Sequence, residues 1–230
     1  MTQRYSIRDE ALDDLALILT LSAEDIQKLN DSLDAEKATI ISASKLLGLA
    51  RQVVAEKSKS AAFVRQALFV AELSRESARS AEMVVDDVFD SYFGMRPDAE
   101  RPSHFDQMKN GFSRFSSSNH LIASSKAVSL SFSSPNIFRD SSLIVDLRPI
   151  YDAKKSDILG MICVQHLTLD FMEGGFPREV SLAVDRADIE KLKRICEEAL
   201  AKIEVATKFS SDRCALEVIV AGEETYAFRD

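Results

Sequence analysis

The chain is poor in residues that break regular structure, and it lacks tryptophan altogether. Its 230 residues include only seven glycines, five prolines and three cysteines. All five prolines lie at or beyond Pro97, so no proline interrupts a helix in the first 96 residues. We therefore expect a helical first half and a second half broken by turns.

The sequence also lacks the features of secreted, membrane-spanning or nucleic-acid-binding proteins. Cys163, Cys196 and Cys214 have no CxxC spacing, which indicates reduced cysteines packed in apolar surroundings of a cytosolic protein. No segment resembles a signal peptide or approaches the ~18 apolar residues of a membrane span. A net charge of −8, with only sparse basic residues between Lys109 and Lys126, argues against binding to nucleic acid. The expected location is cytoplasmic.

Residues 1–93 have apolar side chains at helical spacing, which predicts an all-helical domain. Ser22 and Asp25 have the spacing of a capping box at the start of one helix. The apolar pattern from Ser60 to Phe93 is too long for one globular helix, and it predicts a break around Ser74–Ser77. Asp86, Asp87 and Asp90 in this region are typical of a solvated acidic face rather than a cation site.

Residues 94–125 are predicted to be a linker with one short helix over 104–115, because residues 94–103 contain two prolines, a glycine and mixed charge. Residues 126–230 are predicted to form an α+β domain. Its first strand is expected where Val128, Leu130 and Phe132 alternate with serines.

Three further strands are predicted as an antiparallel meander, in the segments LIVDLRPIY, ILGMICVQHLTLDF and REVSLAV. Gly174-Gly175 is suited to the turn before the last of these strands. Asp185 is then expected to cap a helix from Arg186 to about Ala206, and the segment CALEVIV may add a closing strand. The predicted fold class is therefore α+β: a helical N-terminal bundle, a meander and a long C-terminal helix. The residues expected to be buried on that helix are Ile189, Leu192, Ile195, Cys196, Ala199, Leu200 and Ile203.

The segment 161–171 is apolar on both of its alternating faces. One helix covers only one face of a small sheet, so the other face needs the helical domain or a second subunit as a cover. Leaving such side chains in water forgoes ~1.5–3 kcal/mol for each one. The residues of one face are Met161, Cys163, Leu167, Leu169 and Phe171, and those of the other are Ile162, Val164, His166 and Thr168.

Motifs for catalysis, phosphate binding or metal binding are absent from the sequence, so we expect no enzyme activity, no cofactor and no metal. Asp146 and Arg148 lie two apart on a predicted strand and are expected to pair on one face. Pro149 cannot donate to a sheet ladder, which indicates an edge strand or a bulge.

The order of these segments resembles the COMM-domain family, in which a helical N-terminal domain precedes a β-rich COMM domain. The resemblance is carried mainly by residues 141–206, with LIVDLRPIYD, ILGMICVQHLTLDF and the following strand and helix, and more loosely by ALILTLSAEDIQKLNDSL. Family members usually carry a tryptophan near the position of Leu147-Arg148-Pro149, where this chain has none. The resemblance implies a non-enzymatic scaffold that dimerises through interlocked sheets.

The sequence therefore predicts a scaffold that forms a homodimer through its C-terminal domain, with the helical domain free to bind an unknown protein partner. A small-molecule sensor or enzyme with a site near Arg148, Tyr151 and His166 is the alternative. The residues predicted at the interface are Leu147, Arg148, Pro149, Ile150, Ile162, Val164, His166, Leu167 and Leu169.

Overall fold

The computed structural model describes residues 9–38, 40–131, 133–214 and 218–221. The chain forms two compact units that divide between Ser131 and Phe132, with residues 218–221 grouped with the first unit. The first unit is helical, whereas the second contains an antiparallel sheet followed by a long helix. This arrangement confirms the predicted α+β fold class.

Serine caps start three helices of the first unit, at Ser22, Ser42 and Ser80. Ser22 Oγ accepts a hydrogen bond from the Asp25 backbone N–H at 3.0 Å, and the Asp25 carboxylate accepts one from the Ser22 N–H, which confirms the capping box. The predicted break in the long apolar segment occurs at Ala78, whose φ is 53°. The helices are α1 (Asp9–Leu19), α2 (Ala23–Asp34), α3 (Ala43–Val53), α4 (Lys57–Ser77), α5 (Ala81–Met95), α6 (Phe105–Ser116) and α7 (Asn119–Ser131).

Aromatic side chains link α6 to the core of this unit. Phe63 of α4 packs edge-to-face on Phe112 and Phe115 of α6, with ring centroids 5.2 and 4.9 Å apart. Phe105 and Met108 are also buried, at the helical spacing of an apolar stripe. Most of the predicted linker over residues 94–125 thus belongs to the helical unit, because its apolar residues have this period despite its many serines.

The strand predicted around Val128, Leu130 and Phe132 is wrong, since α7 is helical to Ser131. Serines are tolerated within this helix because their hydroxyls donate to carbonyls of the preceding turn, as Ser131 Oγ does to Ala127 O at 2.9 Å. Ser124 also donates to Ile41 O and so ties α7 to the start of α3. An alternation over five residues is too short to distinguish strand from helix. Phe132 lies outside the described residues.

Buried or partly buried ion pairs connect the helices. Asp14 of α1 accepts hydrogen bonds from Arg65 at 2.6 and 3.0 Å and from Gln66 at 3.1 Å. The expectation that α5 carries a solvated acidic face is wrong for Asp87, which is buried and lies 2.6 Å from Arg79. A buried carboxylate requires such a partner, because an unpaired charge inside a protein is costly.

The other two aspartates of α5 also have basic partners. Asp86 accepts a hydrogen bond from Lys109 of α6 at 2.6 Å, and this bond raises the pKa of the Lys109 ammonium group above its usual range. Asp90 lies 3.7 Å from Arg101. The three carboxylates are thus used in ion pairs that join α5 to its neighbours.

The second unit contains three antiparallel strands in the order β1-β2-β3, which agrees with the predicted meander. They are β1 (Asn136–Tyr151), β2 (Ile158–Glu173) and β3 (Phe176–Val184). Gly174 and Gly175 in the second turn have φ of 57° and 88°, a conformation that glycine adopts without strain.

The helix α8 (Arg186–Phe209) follows the sheet and has the predicted start, since Asp185 and Asp188 form a capping box. It ends in a π-helical turn, Ser210–Cys214. The predicted closing strand is not formed in its described part, because Cys214 lies in this turn and residues 218–220 have no regular structure. Residues 215–217 lie outside the described residues. No helix in the described parts of the chain has both the length and the apolar character needed to cross a membrane.

Helices α2 and α6 approach closely at Gly111, and this contact yields a prediction. A Cβ at Gly111 would lie 2.5 Å from Cγ2 of Ile26, a stiff β-branched side chain that is buried. Gly111→Ala should therefore lower the free energy of unfolding by about 1–3 kcal/mol in chemical denaturation, as overpacked cores do.

Gly48→Ala is the matched control, because nothing lies within 4 Å of a Cβ at that position in α3. This substitution should be neutral or should stabilise the protein by up to about 1 kcal/mol through helix propensity. The close packing of α2 and α6 would be refuted if Gly111→Ala were as stable as Gly48→Ala.

Candidate interaction surface

The sheet of the second unit is largely open to water, and its half-buried residues lie mainly in the stretch 164–172 of β2. No residue of β1, β2 or β3 is buried, although the strands are rich in large apolar side chains. Leu147 of β1 is 62% exposed and Ile162 of β2 is 49% exposed. An exposed apolar area of this extent marks an interaction surface rather than an ordinary protein exterior.

The strand register divides these side chains between two faces, since directly opposed residues share a face and successive residues alternate. We call the more hydrophobic side the apolar face; Gln165 lies on it, opposite Val145, and its apolar residues are Leu143, Val145, Leu147, Pro149, Met161, Cys163, Leu167, Leu169, Phe171, Val180 and Leu182. We call the other side the mixed face; it comprises Ile144, Asp146, Arg148, Ile150, Ile162, Val164, His166, Thr168, Ser181 and Ala183. This register agrees with the two faces predicted for segment 161–171.

The predicted interface residues lie on both faces of the sheet. Four of them are on the apolar face, and five are on the mixed face. They therefore form two surfaces, and no single flat partner can cover all of them. Those on the apolar face are Leu147, Pro149, Leu167 and Leu169, and those on the mixed face are Arg148, Ile150, Ile162, Val164 and His166.

Helix α8 does not bury its apolar stripe in the isolated chain, so the prediction of a buried stripe is wrong. None of its residues is buried, and among the described elements its extended contact is with the π-helical turn that follows it. The sheet of the same chain therefore does not supply the apolar cover that the stripe was expected to have. The residues concerned are Ile189, Leu192, Ile195, Cys196, Ala199, Leu200 and Ile203.

The three cysteines are exposed as well, which corrects the expectation that they are packed in apolar surroundings. Cys163 lies on the uncovered apolar face, and Cys196 lies in the uncovered stripe of α8. The sequence placed both residues among apolar neighbours correctly. It could not show that these neighbours remain in water.

The mixed face carries a small polar cluster. Arg148 Nε donates to Asp146 Oδ2 at 3.1 Å, which confirms the predicted pair on one face of β1. Arg148 Nη2 lies 3.5 Å from His166 Nε2 on the neighbouring strand. Both members of the ion pair are at least half exposed, so solvent screens their attraction in the isolated chain.

The alternative small-molecule site is only partly assembled. The strands bring Arg148 and His166 together, but Tyr151 lies beyond a register shift, opposite Ile158. The adjacent turn is held by Asp152, whose side chain accepts hydrogen bonds from Ser156 Oγ and N–H at 2.8 and 2.7 Å. These bonds hold the pKa of the Asp152 carboxyl below its usual range and fix the β1–β2 hairpin.

The β1 edge of the sheet is less suited to binding a partner than the faces of the sheet. Pro149 lies on β1, an edge strand, as its missing N–H predicted. Register shifts at Phe138/Asp140 and at Ile150/Tyr151 further disturb β1. Irregularities of this kind protect edges from strand addition, so the exposed faces are the better surface for a partner.

No protein-family model matches the chain, and no curated protein matches it at a significant level. The fold and the surface alone define the class: an α+β protein with a helical unit and a second unit whose sheet is uncovered.

Proposed function

We propose that this protein is a non-enzymatic, cytoplasmic scaffold that forms a homodimer through the sheet and α8 of its second unit. The observation that carries the proposal is that neither the sheet nor the helix contains one buried residue. The helical unit, by contrast, has an extensive buried core of its own. The second unit needs a partner to acquire a comparable core.

The exposed apolar surface is large enough for a stable dimer. Fourteen large apolar side chains of the strands and six of α8 are exposed. Full burial of one such side chain is worth ~1.5–3 kcal/mol, and each Å² of apolar surface removed from water is worth ~25 cal/mol. These two values correspond to roughly 60–120 Å² of surface for each side chain. If each of these exposed side chains buries half of that area, one chain buries roughly 600–1,200 Å² of apolar surface in total. Each partner in a stable complex buries ~800 Å².

A second copy of the chain provides both covers that the sheet requires. Its sheet can pack on one face, while its α8, with 24 residues and a length of about 36 Å, can lie on the other. In a two-fold dimer the same contacts occur twice, so the stripe of each α8 becomes buried as well. The resemblance of residues 141–206 to COMM domains, which dimerise through interlocked sheets, supports the same arrangement.

The helical unit then remains available to a protein partner. Its core is formed from its own helices, and its exposed apolar side chains, Phe69 and Met83 among them, are few and scattered compared with those of the second unit. A dimer that presents two copies of a stable helical unit holds two partner molecules together, and that is the action of a scaffold.

Charged substitutions on each face test the dimer. Leu147→Asp on the apolar face and Ile162→Asp on the mixed face place a carboxylate in the proposed interface, where an unpaired charge is strongly disfavoured. Sedimentation velocity should show that the unaltered protein is a dimer at micromolar concentration. Each variant should weaken the dimer at least about 100-fold, a loss of ~2.7 kcal/mol.

Leu130→Asp is the matched control, because Leu130 lies on α7 of the first unit and is 64% exposed, close to the 62% of Leu147. It should leave the dimer intact. The proposal fails if the unaltered chain is monomeric at these concentrations, or if all three variants dimerise equally well.

Cysteine labelling gives an independent check with an internal control. At protein concentrations well below the dimer dissociation constant, all three cysteines should react with a thiol reagent, since all are exposed in the single chain. At high concentration Cys163 and Cys196 should become protected, because they lie on the apolar face and in the α8 stripe. Cys214, in the π-helical turn, should stay reactive, and equal reactivity of the three at both concentrations would contradict the proposed interface.

A further inference from the structure

Strand β3 is shorter than β2 and leaves part of the β2 edge unpaired. β3 pairs with β2 from Glu173 back to Gln165, which lies opposite Val184 at the end of β3. Residues 158–164 of β2 therefore have β1 on one side and no described strand on the other. Helix α8 makes no extended contact with β2 among the described elements. We call this segment the free edge; it is about 23 Å long at ~3.3 Å per residue.

The turn between β2 and β3 determines which backbone groups point towards the free edge. Gly174-Gly175 is a two-residue turn, so the residues on either side of it, Glu173 and Phe176, exchange backbone hydrogen bonds. Backbone groups alternate in direction along a strand. The N–H and C=O groups of the odd-numbered residues of β2 therefore point away from β1 and towards the side of β3.

This alternation continues into the free edge, because β2 has no extra residue between Gly160 and Glu173. Met161 and Cys163 thus direct their N–H and C=O groups to the open side, where no described strand is in position to bond them. Pro149, opposite Met161, agrees with this pattern, since a proline fits where the ladder uses no N–H. Unpaired backbone groups at an edge are a template for a further strand.

The free edge also lacks the features that protect the other two edges of the sheet. β1 contains Pro149 and two register shifts, and residues 177–179 of β3 are a proline and two charged residues. Proline, charge and bulges discourage strand addition. The free edge, with the sequence ILGMICV, contains no proline and no charge. Its one irregularity is Leu159, an extra residue at the end next to the β1–β2 turn.

We propose that the free edges of two chains pair antiparallel and join their sheets side by side, so that two of the proposed dimers assemble into a tetramer. The tetramer rests on the proposed dimer, whereas the edge pairing itself does not. A tetramer with one contact through the sheet faces and another through the sheet edges is closed, as in other assemblies with three two-fold axes.

A second copy of the same segment fits the free edge in length and in chemistry. The edge is bounded by the end of β3 on one side and by the β1–β2 turn on the other, so two antiparallel copies match end to end without overlap of β3. Met161 then lies opposite Met161 of the other chain, and Gly160, which lacks a side chain, lies opposite Ile162. Because the segment has no charge, no like charges meet across the new pair.

Proline substitution tests the backbone pairing directly. Sedimentation velocity of the full chain should show dimers at micromolar concentration and tetramers at about 0.1 mM. Met161→Pro removes an N–H from the free edge but no hydrogen bond between β1 and β2. Met161→Ala loses the same side chain and keeps the N–H, so both variants should dimerise equally well. The proline variant should have a tetramer dissociation constant at least about tenfold higher than that of the alanine variant.

Amide hydrogen exchange of the unaltered protein gives a second measurement that needs no substitution. The amides of Met161 and Cys163 should exchange at least about tenfold more slowly in the tetramer than in the dimer, because they become hydrogen-bonded. The amides of Ile162 and Val164 point towards β1 and should be protected at both concentrations, so they serve as internal controls.

The outcomes separate the edge pairing from the proposed dimer. Equal tetramer formation by Met161→Pro and Met161→Ala, or exchange at Met161 and Cys163 that is independent of concentration, would overturn this inference and leave the dimer intact. A first association that Met161→Pro abolishes and Leu147→Asp leaves unchanged would support the edge pairing and refute the dimer through the faces.

Discussion

The structure depends on one constraint: a three-stranded sheet with large apolar side chains on both faces is followed by a single helix that covers neither. The strands β1 and β2 are paired along nearly their whole length, with register shifts only near the two ends of β1, so the sheet itself is well defined. What it lacks is a layer on either side, and two-layer burial is the usual source of stability for a sheet. We therefore propose that a core for this unit comes from another molecule.

The two units differ in how they bury their apolar side chains. The helical unit contains a closed core with edge-to-face phenylalanines and ion pairs between helices, whereas the second unit presents an open surface. A protein that combines a stable unit with an association unit is suited to holding partners together.

Local sequence signals predicted much of this architecture. The capping residues Ser22 and Asp185, the glycine turn at 174–175 and the alternation in segment 161–171 all led to the correct elements. The strand expected around Val128 failed, because a short alternation with serine does not distinguish strand from helix. The buried stripe of α8 failed for another reason: an amphipathic pattern shows that a helix needs a cover, but it does not show which chain provides that cover. Likewise, the spacing of Asp146 and Arg148 predicted their pairing, while the contact with His166 depended on the register between strands.

The most direct test of the central claim is an isotope-filtered nuclear Overhauser experiment on a mixture of labelled and unlabelled chains. It detects only methyl groups of different chains that lie within about 5 Å of each other, a distance typical of packed side chains. The proposed dimer predicts intermolecular cross-peaks between methyl groups of α8, such as those of Ile195 and Ile203, and methyl groups of the strands. Absence of any intermolecular cross-peak between α8 and the strands would contradict it.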